Sequence, residues 1–107
     1  MLDSYMDFKT LTSVNLIGEG DTWIITSVET NRKHRGKGGA RKVMEHVCAD
    51  ADREGSLLML SVDPQEPVVT KERLRAFYAS LGFVEIPDGE DAMGRAPRRS
   101  DGPDSSA

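Results

Sequence analysis

Arg32-Lys33-His34-Arg35-Gly36-Lys37-Gly38-Gly39-Ala40-Arg41-Lys42 is the stretch on which the reading of this chain turns. It follows a β-branched run, Thr22 to Thr30, that reads as a strand. It precedes a segment in which Ala40, Val43, Met44, Val47, Cys48 and Ala51 recur at the spacing of one helix face. A basic, glycine-rich turn between a strand and a helix is a physical solution for gripping a pyrophosphate. Glycines let backbone N–H groups approach the oxygens, and the new helix offers unpaired N–H groups and the positive end of its dipole. The stretch therefore predicts a site for a phosphorylated cofactor.

Working outward, Tyr5 to Leu16 alternates loosely as a strand, and Gly18-Glu19-Gly20-Asp21 carries hairpin-turn chemistry before the Thr22 strand. The helix is expected from about Gly38 to Arg53, with Glu45, His46, Asp50 and Asp52 off its apolar face and Gly55 ending it. Leu57 to Val62 is a short apolar run of the kind found in strands buried on both faces. Strand, helix and strand make one right-handed βαβ unit with a parallel pair. Thr70 caps a second helix in which Leu74, Phe77, Tyr78 and Leu81 share a face, and Gly82 stops it. Phe83–Ile86 and Ala92–Arg95 read as further strands. A single domain is expected over residues 1–96, with a disordered tail over residues 97–107 rich in Arg, Ser, Asp, Gly and Pro.

With 107 residues there is room for one domain, small enough that a homodimer is a reasonable expectation. The formal charge of −4 disfavours a generic nucleic-acid binder despite the local basic cluster. Cys48 is the single cysteine, which suits a reducing compartment; no stretch has transmembrane length and the N-terminus lacks a signal-peptide pattern, so a cytoplasmic setting is expected. His34 and His46 are too few and too badly spaced for a metal site, and no metal is expected. Cys48 on the buried helix face reads as packing, and Trp23 as a core or dimer contact.

Two phosphate-binding patterns fail on residues. Lys37 and Lys42 are not followed by the Ser or Thr that the Walker pattern needs. The dinucleotide fingerprint starting at Gly36 and Gly38 meets Arg41 where its last glycine or alanine belongs. Arg35-Gly36-Lys37-Gly38-Gly39-Ala40, in contrast, resembles the acetyl-coenzyme A signature of the GNAT acetyltransferase superfamily, Gln/Arg-x-x-Gly-x-Gly/Ala. Leu74-Arg75-Ala76-Phe77-Tyr78-Ala79-Ser80-Leu81-Gly82-Phe83 is similar to that family's later helix, where an aromatic-Tyr pair precedes Gly-Phe. The resemblance covers roughly Thr22 to Ile86.

The resemblance implies an α/β (α+β) fold with a mixed, mostly antiparallel sheet, flanking helices and a central parallel pair that splays apart. It also implies transfer of an acetyl group from acetyl-coenzyme A to an amine acceptor, a small molecule or a protein. Backbone groups around Val28, Glu29 and Thr30 would hold the pantetheine arm and the thioester carbonyl. The N–H groups of Arg35, Gly36, Lys37, Gly38, Gly39 and Ala40 would hold the pyrophosphate, with charge from Arg35, Lys37 or Arg41. Tyr78 matches the family's proton donor to the departing thiolate, against its plainer reading as a core aromatic. Glu29 is the candidate base for the amine, against its plainer reading as a solvated strand end.

Two departures stand out. Lys71 and Arg73 occupy the region where the family commonly has a cofactor-touching asparagine, and only about twenty residues precede the central strand, so the acceptor half is minimal. An open acceptor side suits a protein lysine or N-terminus. Compact acetyltransferases of this kind occur in phages and mobile elements, including one that inactivates a CRISPR nuclease by lysine acetylation. The rival reading is a noncatalytic acyl-coenzyme A binding module with a regulatory or scaffold role. Nucleic-acid binding through the Arg32 to Lys42 cluster is a weaker alternative, because the cofactor's phosphates already account for those cations.

Overall fold

The computed structural model describes residues 1–63 and 69–98. Within them the chain forms β1 (Ser4–Asp7), β2 (Thr12–Glu19), β3 (Thr22–Thr30), α1 (Gly39–Glu54), β4 (Leu57–Ser61), α2 (Lys71–Ser80), β5 (Val84–Glu85) and β6 (Ala92–Arg95). The strands make one sheet in the order β1-β2-β3-β4-β6-β5. Only β3 and β4 run parallel, so the mixed, mostly antiparallel sheet expected from the resemblance is present.

The predicted first strand is two. Asp7 breaks it by accepting bonds from the Thr10 N–H (3.2 Å) and hydroxyl (2.6 Å), a side-chain turn that reverses the chain between β1 and β2. Hairpin pairing then runs to Glu19 opposite Thr22, leaving Gly20, at φ +65°, and Asp21 to turn. Helix α1 buries Val43, Met44, Val47, Cys48 and Ala51 against the sheet and ends at Gly55, whose φ of +72° closes a left-handed cap. Helix α2 starts at Thr70, whose hydroxyl accepts the Arg73 N–H at 3.2 Å. It lies beside α1: the Arg41 guanidinium of α1 donates to the Ser80 hydroxyl at 2.8 Å. The core between helices and sheet includes Val14, Met44, Val47, Leu58 and Phe83, all under 2% exposed. Each such side chain contributes roughly 1.5–3 kcal/mol by leaving water.

Two sequence expectations are corrected. Strand β4 is not buried on both faces: Leu58 and Leu60 are buried, while Leu57 and Met59 are half-buried. The reason is that the helices share one side of the sheet. On the other side Ile17 and Ile24, paired across β2 and β3, remain 63% and 45% exposed. Asp50 does not point away from the core. It is buried, and its carboxylate accepts the Tyr5 hydroxyl at 2.6 Å. The predicted tail is described only at its start, where the Arg98 N–H donates to Asp52 Oδ1 at 2.7 Å; residues 99–107 lie outside the described residues.

Asp52 and Arg95 tie β6 to α1. Arg95, 4% exposed, donates from both terminal nitrogens to the Asp52 carboxylate (2.7 and 3.1 Å) and from Nε to the Leu81 carbonyl (2.8 Å). Burial tends to raise the Asp52 pKa, but the bonds from Arg95 and Arg98 outweigh it and hold the carboxyl below its usual value. A depressed carboxyl stabilises the fold above the ordinary range, and that stabilisation is lost as pH falls through the folded-state value. Asp52→Asn is therefore expected to cost about 3 kcal/mol at pH 7, because Arg95 stays buried without an anion. Urea unfolding measures this, and the deficit relative to the native chain shrinks below about pH 4. Gly39→Ala is a second test. Its Cβ would meet the Thr10 and Thr12 hydroxyls at 2.1 and 2.4 Å, so the same unfolding assay is expected to show a loss of about 1–3 kcal/mol.

Candidate functional site

The parallel ladder between β3 and β4 joins Thr22–Ile25 to Leu57–Leu60 and then stops. Beyond Ile25, β3 stays paired with β2 as far as Thr30, after a register shift that leaves Thr26 without an opposite residue. Strand β4 stays with β6 on its other side. Each strand follows a different partner, so the two diverge and a cleft of about 1360 Å³ opens between them. Val28, Glu29 and Thr30 line one wall, and Met59, Leu60 and Ser61 line the other. Over this part of β3 no β4 residue pairs with the backbone, so its edge toward the cleft is available for a ligand's amides.

One end of the cleft is the glycine turn. A single helical turn at Arg32–His34 is started by Asn31, whose Oδ1 accepts the Lys33 N–H at 2.9 Å. Gly36 and Gly38 take φ of +80° and +79°, a region L side chains rarely adopt. Gly38 caps α1 without any side-chain bond, and the first helical bond runs from the Lys42 N–H to the Gly38 carbonyl at 3.0 Å. The N–H groups of Gly39, Ala40 and Arg41 therefore have no acceptor within the helix. No acidic residue lies in this first turn. Gly36, Gly38, Gly39 and Ala40 all line the cleft. The arrangement can hold an anion through backbone donors, aided by the helix dipole.

The predicted cations do not behave alike. Arg35 lines the cleft, and so do Arg32 and His34, which the sequence reading left out of the site. Lys37 is not on the cleft wall; its Nζ lies 3.4 Å from His34 Nδ1. Arg41 borders the cleft but turns its guanidinium to α2, on the Ser80 hydroxyl and 5.1 Å from the Phe77 ring centroid. Lys71 is held by Asp91 at 2.7 Å, whereas Arg73 faces the cleft. Arg73 could have been found from its spacing, since it stands one helical turn before the cleft-lining Phe77.

Tyr78 reaches the cleft from α2. Its ring is 7% exposed and makes edge-to-face contacts with Phe77 and Phe83, with centroids 5.3 and 5.8 Å apart. The plainer sequence reading, a core aromatic, describes the ring, and the residue also lines the cleft. Among the described residues its hydroxyl has no hydrogen-bond partner. Burial pushes the Tyr78 pKa above its ordinary value, which keeps the hydroxyl protonated across neutral pH. Glu29 is exposed on the helix-free face, opposite Ser13, and Asp63 joins it on the cleft wall. The cleft is thus basic where the glycine turn closes it and carries carboxylates elsewhere. Cys48 is buried away from this cleft, with its thiol pKa raised by burial.

The model of the acetyltransferase (GNAT) family matches residues 5–83. No curated protein matches the chain. Among solved structures, the anti-CRISPR protein AcrVA5 is 26% identical, with a TM-score of 0.70 over 87% of this chain and 98% of that one. The ribosomal-protein-S18-alanine N-acetyltransferase from Escherichia coli shares the fold at 19% identity and a TM-score of 0.65, over 83% of this chain and 63% of its own. The PaiA N-acetyltransferase from Thermoplasma acidophilum, solved in complex with coenzyme A, does so at 20% identity and a TM-score of 0.63, over 89% and 62%. The chain therefore spans less than two thirds of the length of these two enzymes. With a family match over most of its residues, a parallel pair that splays at the expected point and a glycine turn at the mouth of α1, the chain belongs to the GNAT acetyltransferase family.

Proposed function

We propose that the protein transfers an acetyl group from acetyl-coenzyme A to an amine, with a protein lysine or N-terminus as the acceptor. GNAT acetyltransferases use acetyl-coenzyme A. The observation that carries the proposal is a single cleft that joins the unpaired edge of β3, the start of α1 with no side-chain cap, and Tyr78, whose hydroxyl has no partner among the described residues. The residues suit the molecule: backbone donors without a competing carboxylate for a diphosphate, and an open strand edge for a chain carrying secondary amides.

Bound acetyl-coenzyme A supplies a thioester whose carbonyl carbon accepts the amine nitrogen as its C–S bond breaks. Backbone N–H groups from Gly36 to Ala40 hold the diphosphate, with charge from Arg35. The β3 edge at Val28, Glu29 and Thr30 holds the arm and directs donors at the carbonyl oxygen, where negative charge develops. Tyr78 gives its proton to the departing sulfur, and its raised pKa keeps that proton available throughout the neutral range. An alkyl ammonium, at a reference pKa of about 10.4, must first lose a proton. Glu29, exposed on the cleft wall, takes it directly or through water.

The helix-free face supports a macromolecular acceptor. Ile24 and Met59 belong both to that face and to the cleft wall, so a protein resting on the open sheet has a short path to the reacting carbon. The likeness in length and fold to an anti-CRISPR protein also favours a macromolecular target over a free metabolite.

Tyr78→Phe is expected to lower thiol release from acetyl-coenzyme A with a pool of amines by about a hundredfold or more. Its calorimetric affinity for coenzyme A should stay within about twofold of the native value, since one hydroxyl is removed from an otherwise intact wall. In the native protein, release should rise with pH as the amine deprotonates, with no alkaline-side loss traceable to Tyr78 below about pH 10. Mass spectrometry of host-lysate proteins incubated with the protein and isotope-labelled acetyl-coenzyme A is expected to place label on lysines or N-termini of few proteins. Tight coenzyme A binding with neither release nor label would leave the noncatalytic binding module.

A further inference from the structure

We infer that the Thr30 hydroxyl is a dedicated hydrogen-bond acceptor for the pantetheine arm, its own proton turned inward along a chain of hydroxyls that ends on Asp7. This rests on the coenzyme A reading of the cleft and adds a residue role to it. The chain is continuous: the Asp7 carboxylate lies 2.6 Å from Thr10 Oγ1, Thr10 Oγ1 is 2.8 Å from Thr12 Oγ1, and Thr12 Oγ1 is 2.9 Å from Thr30 Oγ1. Thr10 and Thr12 are buried, Thr30 is half-buried, and Thr30 lines the cleft.

Proton counting sets the direction. An ionised carboxylate only accepts, and each threonine hydroxyl has one proton to donate. Thr10 spends its proton on Asp7 and can therefore only accept from Thr12. Thr12 then has none left for Thr30, so Thr30 donates to Thr12. Lys42, 3.6 Å from Asp7, favours the charged carboxylate that anchors this order, and the Thr10 hydroxyl bond is the largest influence holding the Asp7 carboxyl below its ordinary pKa. Bonds aligned head to tail in this way polarise one another. Thr30, which lines the cleft, is left with lone pairs on its oxygen and its one proton already engaged by Thr12. An oxygen of that polarity repels a diphosphate and suits a donor. In coenzyme A the donors nearest the thioester end are the two amide N–H groups and the hydroxyl of the pantetheine arm. The two inner hydroxyls also form the surface on which Gly39 packs, so the same chain seats the start of α1.

Calorimetry with two probes tests this: coenzyme A, and its nucleotide portion alone, a phosphorylated adenosine diphosphate that lacks the arm. Thr30→Val is expected to weaken coenzyme A binding about fivefold, the worth of one neutral hydrogen bond, and to leave the nucleotide portion unchanged. Thr30→Ser should keep both affinities within about twofold of native. Thr12→Val should weaken coenzyme A in the native background and have no further effect on top of Thr30→Val, the signature of two residues acting through one contact. Unchanged coenzyme A affinity in Thr30→Val would overturn the inference. So would an equal loss for the nucleotide portion, which marks a displaced α1 rather than a lost contact. An undiminished Thr12→Val effect in the double variant would do the same. Failure of the native protein to bind coenzyme A would instead remove the reading of the cleft itself, which keeps the two failures apart.

Discussion

Hydrogen bonding between β3 and β4 ends after Ile25 and Leu60, and the rest of the molecule is arranged around that interruption. A parallel pair that stayed zipped would bury its backbone groups in the ladder and leave no room for a ligand. Here each strand is pulled by its outer neighbour, β3 by β2 through the irregularity at Thr26 and β4 by β6. The inner edge of β3 is freed without leaving either strand unsupported. The α1 crossover that joins the two strands begins at the open end of the gap. The orphan amides of a helix start and the unpaired edge of a strand thereby face one space.

The molecule holds this opening with long-range polar ties as much as with its small core. Arg95 joins β6, the end of α2 and α1 through Asp52 and the Leu81 carbonyl. Asp50 and Tyr5 join α1 to β1. The Asp7–Thr10–Thr12–Thr30 chain joins the β1–β2 turn to β3 beneath Gly39. These contacts sit around the cleft, whose own polar groups at Tyr78 and the start of α1 have no partners among the described residues. Stability is placed in the frame, and hydrogen-bonding capacity is kept for what binds. Both helices lie on one side of the sheet, which leaves the opposite side with Ile17 and Ile24 in the open.

Local chemistry was legible in the sequence. The β-branched run from Thr22 to Thr30 became β3 at its expected boundaries, and Gly38 and Gly55 marked the ends of α1 because the left-handed backbone there favours glycine. Tyr78 could be placed on the cleft by motif, and its raised pKa follows from burial that the apolar face already implied. What could not be read was whatever depends on a second element. Leu57 and Met59 look as apolar as Leu58 and Leu60, and only the absence of a helix on their side separates them. Asp50 and Tyr5 are 45 positions apart, Asp52 and Arg95 are 43 apart, and no periodicity announces such pairs. The basic turn shows the same limit: composition counts its cations, but packing decided that Arg35 lines the cleft, Lys37 stands by His34 and Arg41 turns to α2.

The most direct test of the account is an amide NMR titration of the native protein with coenzyme A. If the splayed strands and the start of α1 form one ligand site, the N–H signals of Gly36 to Arg41 and of Val28 to Thr30 move together and saturate at one ligand concentration. Signals that stay in place in both segments, or movement confined to residues outside the cleft, would contradict it.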